Sequence, residues 1–155
     1  MTWHARDGGV WRTITAPSVR VSGTWQPVQE AWVKVSGVWQ QFYSAFSAAA
    51  SPATVSGIGN VLGPGNATAT TDATTATPTG GTGPYTYAVQ YVSGDTATVN
   101  SPTSATTTFT RSVFMNPGDP QVNRSGLYRF EVTDSLSAVV YTNNVTVNTE
   151  HNEIT

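Results

Sequence analysis

The chain has 155 residues, 10% of them charged, a formal net charge of −2 and no cysteine. So sparse and slightly acidic a charge excludes the basic footprint that nucleic acid or an anionic membrane surface requires. The lack of thiols excludes disulfide frameworks and thiolate metal sites.

Thr, Ser, Gly, Asn and Val are abundant, whereas Leu, Lys and Glu are scarce. β-branched residues in place of helix formers predict an all-β protein. The opening stretch MTWHARDGGVWRT lacks the apolar core of a signal peptide, and no run approaches the ~18 apolar residues of a membrane span. The expectation is synthesis in a cytoplasm without an encoded export route. All five tryptophans fall within the first 39 residues. The first 43 residues carry four basic against two acidic side chains, and the remainder three against seven. The chain therefore has a cationic, Trp-rich front and an acidic rear.

The front is a repeat with a 14-residue period. Its copies are Arg6-Asp7-Gly8-Gly9-Val10-Trp11, Arg20-Val21-Ser22-Gly23-Thr24-Trp25 and Lys34-Val35-Ser36-Gly37-Val38-Trp39. An apolar residue follows each tryptophan three positions on: Ile14, Val28 and Phe42. Gly-Gly or Ser-Gly between β-branched flanks predicts a β-hairpin per copy. With a two-residue turn, Val35 opposes Val38, and on the other face Lys34 opposes Trp39. The same register sets Arg20 across from Trp25 and Arg6 across from Trp11. Such cation–indole pairs contribute roughly 0.5–1 kcal/mol at exposed sites. Glycine at the second central position suits either a type I′ or a type II turn.

A unit of 1–43 without cysteine lies near the size limit for an independent core. The expectation is a Trp-rich sheet, some of whose indoles serve as core and whose remaining apolar surface is completed by another copy or another protein. Trp and Arg are enriched at such contacts. The docking or oligomer residues are Arg6, Trp11, Arg20, Trp25, Trp32, Lys34, Trp39 and Phe42. The competing reading is a tryptophan ladder that binds polysaccharide through Trp11, Trp25 and Trp39.

Residues 44–51, within SAFSAAASP, read as a linker, with a short helix over Ser44–Ala50 as the alternative. Residues 52–149 follow as a second domain and 150–155 as a tail. Its predicted strands are Ala53–Ser56, Ala67–Thr71, Thr74–Thr79, Tyr85–Val92, Thr96–Asn100, Ala105–Ser112, Leu127–Asp134, Val139–Thr142 and Val145–Asn148. Turn clusters such as Gly63-Pro64-Gly65 and Asn116-Pro117-Gly118-Asp119 separate them. That spacing predicts an antiparallel β-sandwich. In Gly126 to Asp134, Tyr128, Phe130 and Val132 share one face, and Arg129, Glu131 and Thr133 the other. The long connection Phe114–Arg124 precedes this strand.

Candidate chemistry is thin. His4 and His151 stand near opposite ends of the chain without metal-ligand spacing, and both are expected to be solvated. Asp119 and Asp134 are too few for a calcium site. Glu131 and Asp134, three apart on a strand, face opposite sides and cannot form a glycosidase pair. The Asn-x-Ser/Thr sequences at Asn66, Asn123 and Asn144 read as accidents of a Thr-rich chain. No catalytic set and no cofactor or metal site is expected.

The run Gly126 to Asp134 resembles strand F of immunoglobulin-like domains, with Tyr128 at the tyrosine-corner position and Phe130 where the second cysteine usually stands. Gly80-Gly81-Thr82-Gly83-Pro84-Tyr85-Thr86-Tyr87-Ala88-Val89 resembles the glycine turn and strand C of bacterial Ig-like and polycystic-kidney-disease-type repeats, with Val89 in place of tryptophan. The fold class is therefore all-β, a short N-terminal β-hairpin repeat module followed by an Ig-like antiparallel β-sandwich. Phrases such as Val33-Lys34-Val35-Ser36-Gly37-Val38-Trp39 are similar to short repeats of tailed-bacteriophage tail and fibre proteins. That resemblance implies a virion structural protein assembled in the host cytoplasm. Its implied partners are other virion proteins, copies of itself and host-surface glycan.

Overall fold

A computed structural model of the chain describes residues 3–7, 9–14 and 17–154, with side chains at all of these except 3–7, 11–14 and 41–43. Every regular element among the described residues is a β-strand. The first six strands form three hairpins. β1 (Trp3–Asp7) pairs with β2 (Val10–Ile14), β3 (Ser18–Val21) with β4 (Thr24–Pro27), and β5 (Glu30–Val35) with β6 (Val38–Ser44), all antiparallel. The register sets Arg6 opposite Trp11, Arg20 opposite Trp25, Lys34 opposite Trp39 and Val35 opposite Val38, as a two-residue turn demands.

The structure decides the turn type. Ser22 and Gly23 have φ of 49° and 85°, and Ser36 and Gly37 have 50° and 86°. Positive φ at both central positions is type I′, whose twist matches that of the flanking strands. The hairpins do not merge into the single Trp-rich sheet expected from the repeat; each remains its own two-stranded sheet. Pro17 and Pro27 offer no N–H where strands of neighbouring hairpins would meet. The hairpin bases instead close on themselves, through Val28 N–H to Pro17 O (2.8 Å) and Ala45 N–H to Gln29 O (2.8 Å).

The remaining strands are β7 (Ser47–Ser51), β8 (Thr54–Leu62), β9 (Gly65–Thr70), β10 (Thr74–Thr79), β11 (Thr86–Gly94), β12 (Thr98–Val99), β13 (Thr106–Thr107), β14 (Phe109–Met115), β15 (Val122–Thr133), β16 (Val139–Tyr141) and β17 (Val145–Ile154). One layer runs β11-β15-β17-β8, with β16 also on β15. The other consists of β13-β10-β7 and β12-β14-β9. Pairing is antiparallel except for β17 with β8. The two layers form a β-sandwich-like arrangement. Both layers supply the core: Ala50, Ala76 and Phe109 from one, Val55, Tyr128, Phe130, Val132, Val145 and Val147 from the other. The alternation read from Gly126 to Asp134 holds, with Tyr128, Phe130 and Val132 buried.

Several boundaries differ from the sequence reading, and three of them redraw the domain limits and its longest connection. Residues 47–51 of the expected linker are strand β7, paired with β10, and Ala50 is buried. Small side chains are what let that strand pack close against its neighbours, so the joint shrinks to Ala45 and Phe46. Phe46 stacks on Tyr85, with centroids 5.8 Å apart. Residues 150–154 of the expected tail belong to β17, because β8 offers a parallel partner as far as Leu62. Consequently His151 is fully buried, not solvated; the side chain of His4 lies outside the described residues. The connection Phe114–Arg124 is shorter than expected, since β14 and β15 extend into it and leave 116–121.

Candidate docking surface

Two-residue turns sort each hairpin's side chains onto two faces, because successive residues of a strand point oppositely. In the third hairpin the register shifts by a bulge between Ala31 and Trp32. On the regular side of that shift, alternation puts Trp32 with Lys34 and Trp39 on one face, while Val33, Val35 and Val38 take the other. In the second, Arg20 and Trp25 share a face, and Val19 and Val21 lie on the reverse.

Neither face of these two hairpins is covered by other described residues. Trp25, Trp39 and Trp32 are 69%, 63% and 50% exposed, although tryptophan is ordinarily among the more buried residues. The valines of the reverse faces are exposed as well. Lys34 Nζ stands 6.0 Å from the Trp39 ring centroid, at the outer limit of a cation–π contact. Arg20 does otherwise: its Nε–H donates to Gly23 O at 3.1 Å, so the guanidinium braces the turn. Trp32 Nε1–H donates to Glu30 Oε2 at 3.2 Å. For Arg6, Trp11 and Phe42 the backbone is placed in β1, β2 and β6, and their side chains lie outside the described residues.

The carboxylates of the sandwich are engaged in local structure. Asp119 Oδ2 accepts from Asn116 N–H (2.6 Å). Asp134 accepts from the backbone N–H groups of Thr82, Leu136 and Ala138. Glu131 Oε2 accepts from Gln90 Nε2 and the Tyr141 hydroxyl. Among the described residues no group of three or more His, Cys, Asp or Glu is placed to hold a metal. No helix among the described residues is long and apolar enough to cross a membrane.

A buried polar chain escaped the sequence reading. Arg111 Nη1–H donates to Thr149 Oγ1 (2.8 Å), and Thr149 Oγ1 lies 3.1 Å from His151 Nε2. His151 Nδ1 lies 2.9 Å from Ala67 O. A carbonyl only accepts, so Nδ1 carries the hydrogen and Nε2 receives the Thr149 hydroxyl. Arg111 also donates through Nε to Thr96 O (2.8 Å) and through Nη2 to Asp95 O (2.6 Å). The Tyr128 hydroxyl accepts from Ala97 N–H (2.5 Å) and donates to Ala97 O (3.2 Å). It therefore ties β15 to the segment leading into β12 in the opposite layer, not to backbone a few residues upstream as a tyrosine corner does. The signal for Arg111 is present in Phe109-Thr110-Arg111-Ser112-Val113, where alternation puts Arg111 on the inward side with Phe109. These groups hold the sandwich together and leave the hairpins as the candidate site. Comparison with protein-family models, curated proteins and solved structures finds no match to this chain.

Proposed function

We propose that the chain is a non-enzymatic structural or accessory protein of a tailed-phage particle, in its tail, fibre or head decoration. The hairpin module docks on the particle or self-associates, and the Ig-like domain faces outward. The protein is assembled in the host cytoplasm, and its partners are other virion proteins and its own copies. The reading is supported above all by the exposure of Trp25, Trp32 and Trp39. A two-stranded hairpin is at best marginal in water, and the second and third hairpins, whose described side chains are exposed on both faces, call for an external cover. The phage part of the reading comes from the repeat phrases. The test is immunolabelling and mass spectrometry of particles released by lysis of the source bacterium. The chain is expected in the purified particles, at fixed stoichiometry; its absence from them sinks the proposal.

The same exposure favours a second reading, in which the indoles bind polysaccharide. Polysaccharide pull-down that is abolished by Trp25→Ala, while the chain stays folded, supports it. No retention of the native chain on any tested polysaccharide removes it.

A further inference from the structure

We infer that copies of this chain join through the valine faces of the second and third hairpins, leaving the indole and cation faces open. The inference rests on the docking reading above and names the partner as a second copy of the chain. The valine faces consist of Val19, Val21, Thr24 and Gln26 in the second hairpin and Val33, Val35, Val38 and Gln40 in the third. The five valines are 43–62% exposed. No charged residue lies among these eight.

Charge decides which face is buried. A cation taken out of water without a counter-ion is strongly disfavoured. The second hairpin, Ser18 to Pro27, holds Arg20 and no acid. In the third, Glu30 accepts the indole N–H of Trp32. Apposed indole faces would bring Arg20 and Lys34 of one copy toward the same cations of the other. Apposed valine faces meet no such penalty.

Summed over the two hairpins, these eight residues leave on the order of 600 Å² in water, the lower end of what each partner contributes to a specific interface, so the contact must engage both hairpins. The Val-x-Val spacing recurs at one register in both hairpins, at Val19 and Val21 and at Val33 and Val35. A face of that kind is complementary to itself, as a two-fold contact requires, with β-branched side chains set against their like.

The full chain is tested by sedimentation velocity over a concentration series, with tryptophan emission read on the same samples. The expected result is concentration-dependent association in which the emission stays water-like. The combined substitution Val19→Thr, Val21→Thr, Val33→Thr, Val35→Thr and Val38→Thr keeps the β-branched shape and is expected to weaken association about 100-fold or more. Gln40→Val, which enlarges the apolar face, is expected to tighten it. Threonine variants that associate like the native chain overturn the inference. So does an emission that moves to the blue on association, because the indoles are then the buried side. A native chain that stays monomeric throughout also overturns it. The docking reading fails separately, by absence from particles.

Discussion

Ser22 and Ser36 occupy backbone with φ near 50°, a region that serine enters at a cost and asparagine tolerates better. Ser36→Asn is therefore expected to stabilise the third hairpin by up to about 1 kcal/mol. Gly37→Val, at φ 86°, is expected to melt it. All five indoles lie in the module, so the thermal midpoint of tryptophan emission checks both. In the sandwich the decisive single residues are Arg111 and Tyr128. Arg111→Met keeps the length and apolar stem but removes the donors to the part-buried Asp95 O and Thr96 O and leaves the Thr149 hydroxyl with His151 alone. A group deprived of its partner costs about 1–3 kcal/mol, so urea unfolding is expected to show a loss in that range. Tyr128→Phe, which orphans only Ala97, is expected to lose about 1–3 kcal/mol. Alternation placed Tyr128 inward; the same signal stands in Phe109 to Val113 for Arg111, which the sequence reading passed over. Their partners were not legible, because Asp95 to Ala97 reach them only through the packing of one layer on the other.

At the scale of elements, β8 and β9 approach so closely that only glycine fits. A Cβ at Gly57 would stand 2.4 Å from Thr70 O, and one at Gly59 2.5 Å from the Thr68 carbonyl carbon. Both obstacles are backbone, which cannot swing aside. Gly57→Ala is expected to destabilise the sandwich by about 1–3 kcal/mol or more, read as a lower urea midpoint with an unchanged slope. The end of β17 makes a second case. Truncation after Thr149 removes His151 and the parallel pairing with β8 beyond Gly57. It leaves Ala67 O without its imidazole partner. A solvated tail would be removed without effect, whereas a marked drop in thermal midpoint is expected here. The strand Thr74–Thr79 matches its sequence-read bounds. β7 and the end of β17 do not, because Ser47–Ser51 lacks a hydrophobic alternation and residues 150–153 are polar. Both become strands by pairing with partners distant in sequence, β10 and β8.

On the scale of the whole molecule, the sandwich has a core drawn from both layers, and no described residue of the hairpins belongs to a buried apolar cluster. Unfolding is therefore expected in two steps. Tryptophan emission should report the module at low urea, and far-ultraviolet circular dichroism the sandwich at higher urea. Only the first step should shift with protein concentration, because mass action stabilises what binds a partner. A single coincident transition, independent of concentration, would contradict this division. The sequence by itself determined the all-β class, the three hairpins and their register, and the inward stripe of Tyr128, Phe130 and Val132. These follow from local periodicity and from turn pairs that only certain backbones accommodate. The tertiary structure decided the turn type, the separation of the hairpins, the true ends of the sandwich and the burial of Arg111 and His151. Apart from the turn type, which is local backbone that a Ser-Gly pair leaves open, each of those depends on which distant strand lies alongside, and a one-dimensional pattern does not contain that distance.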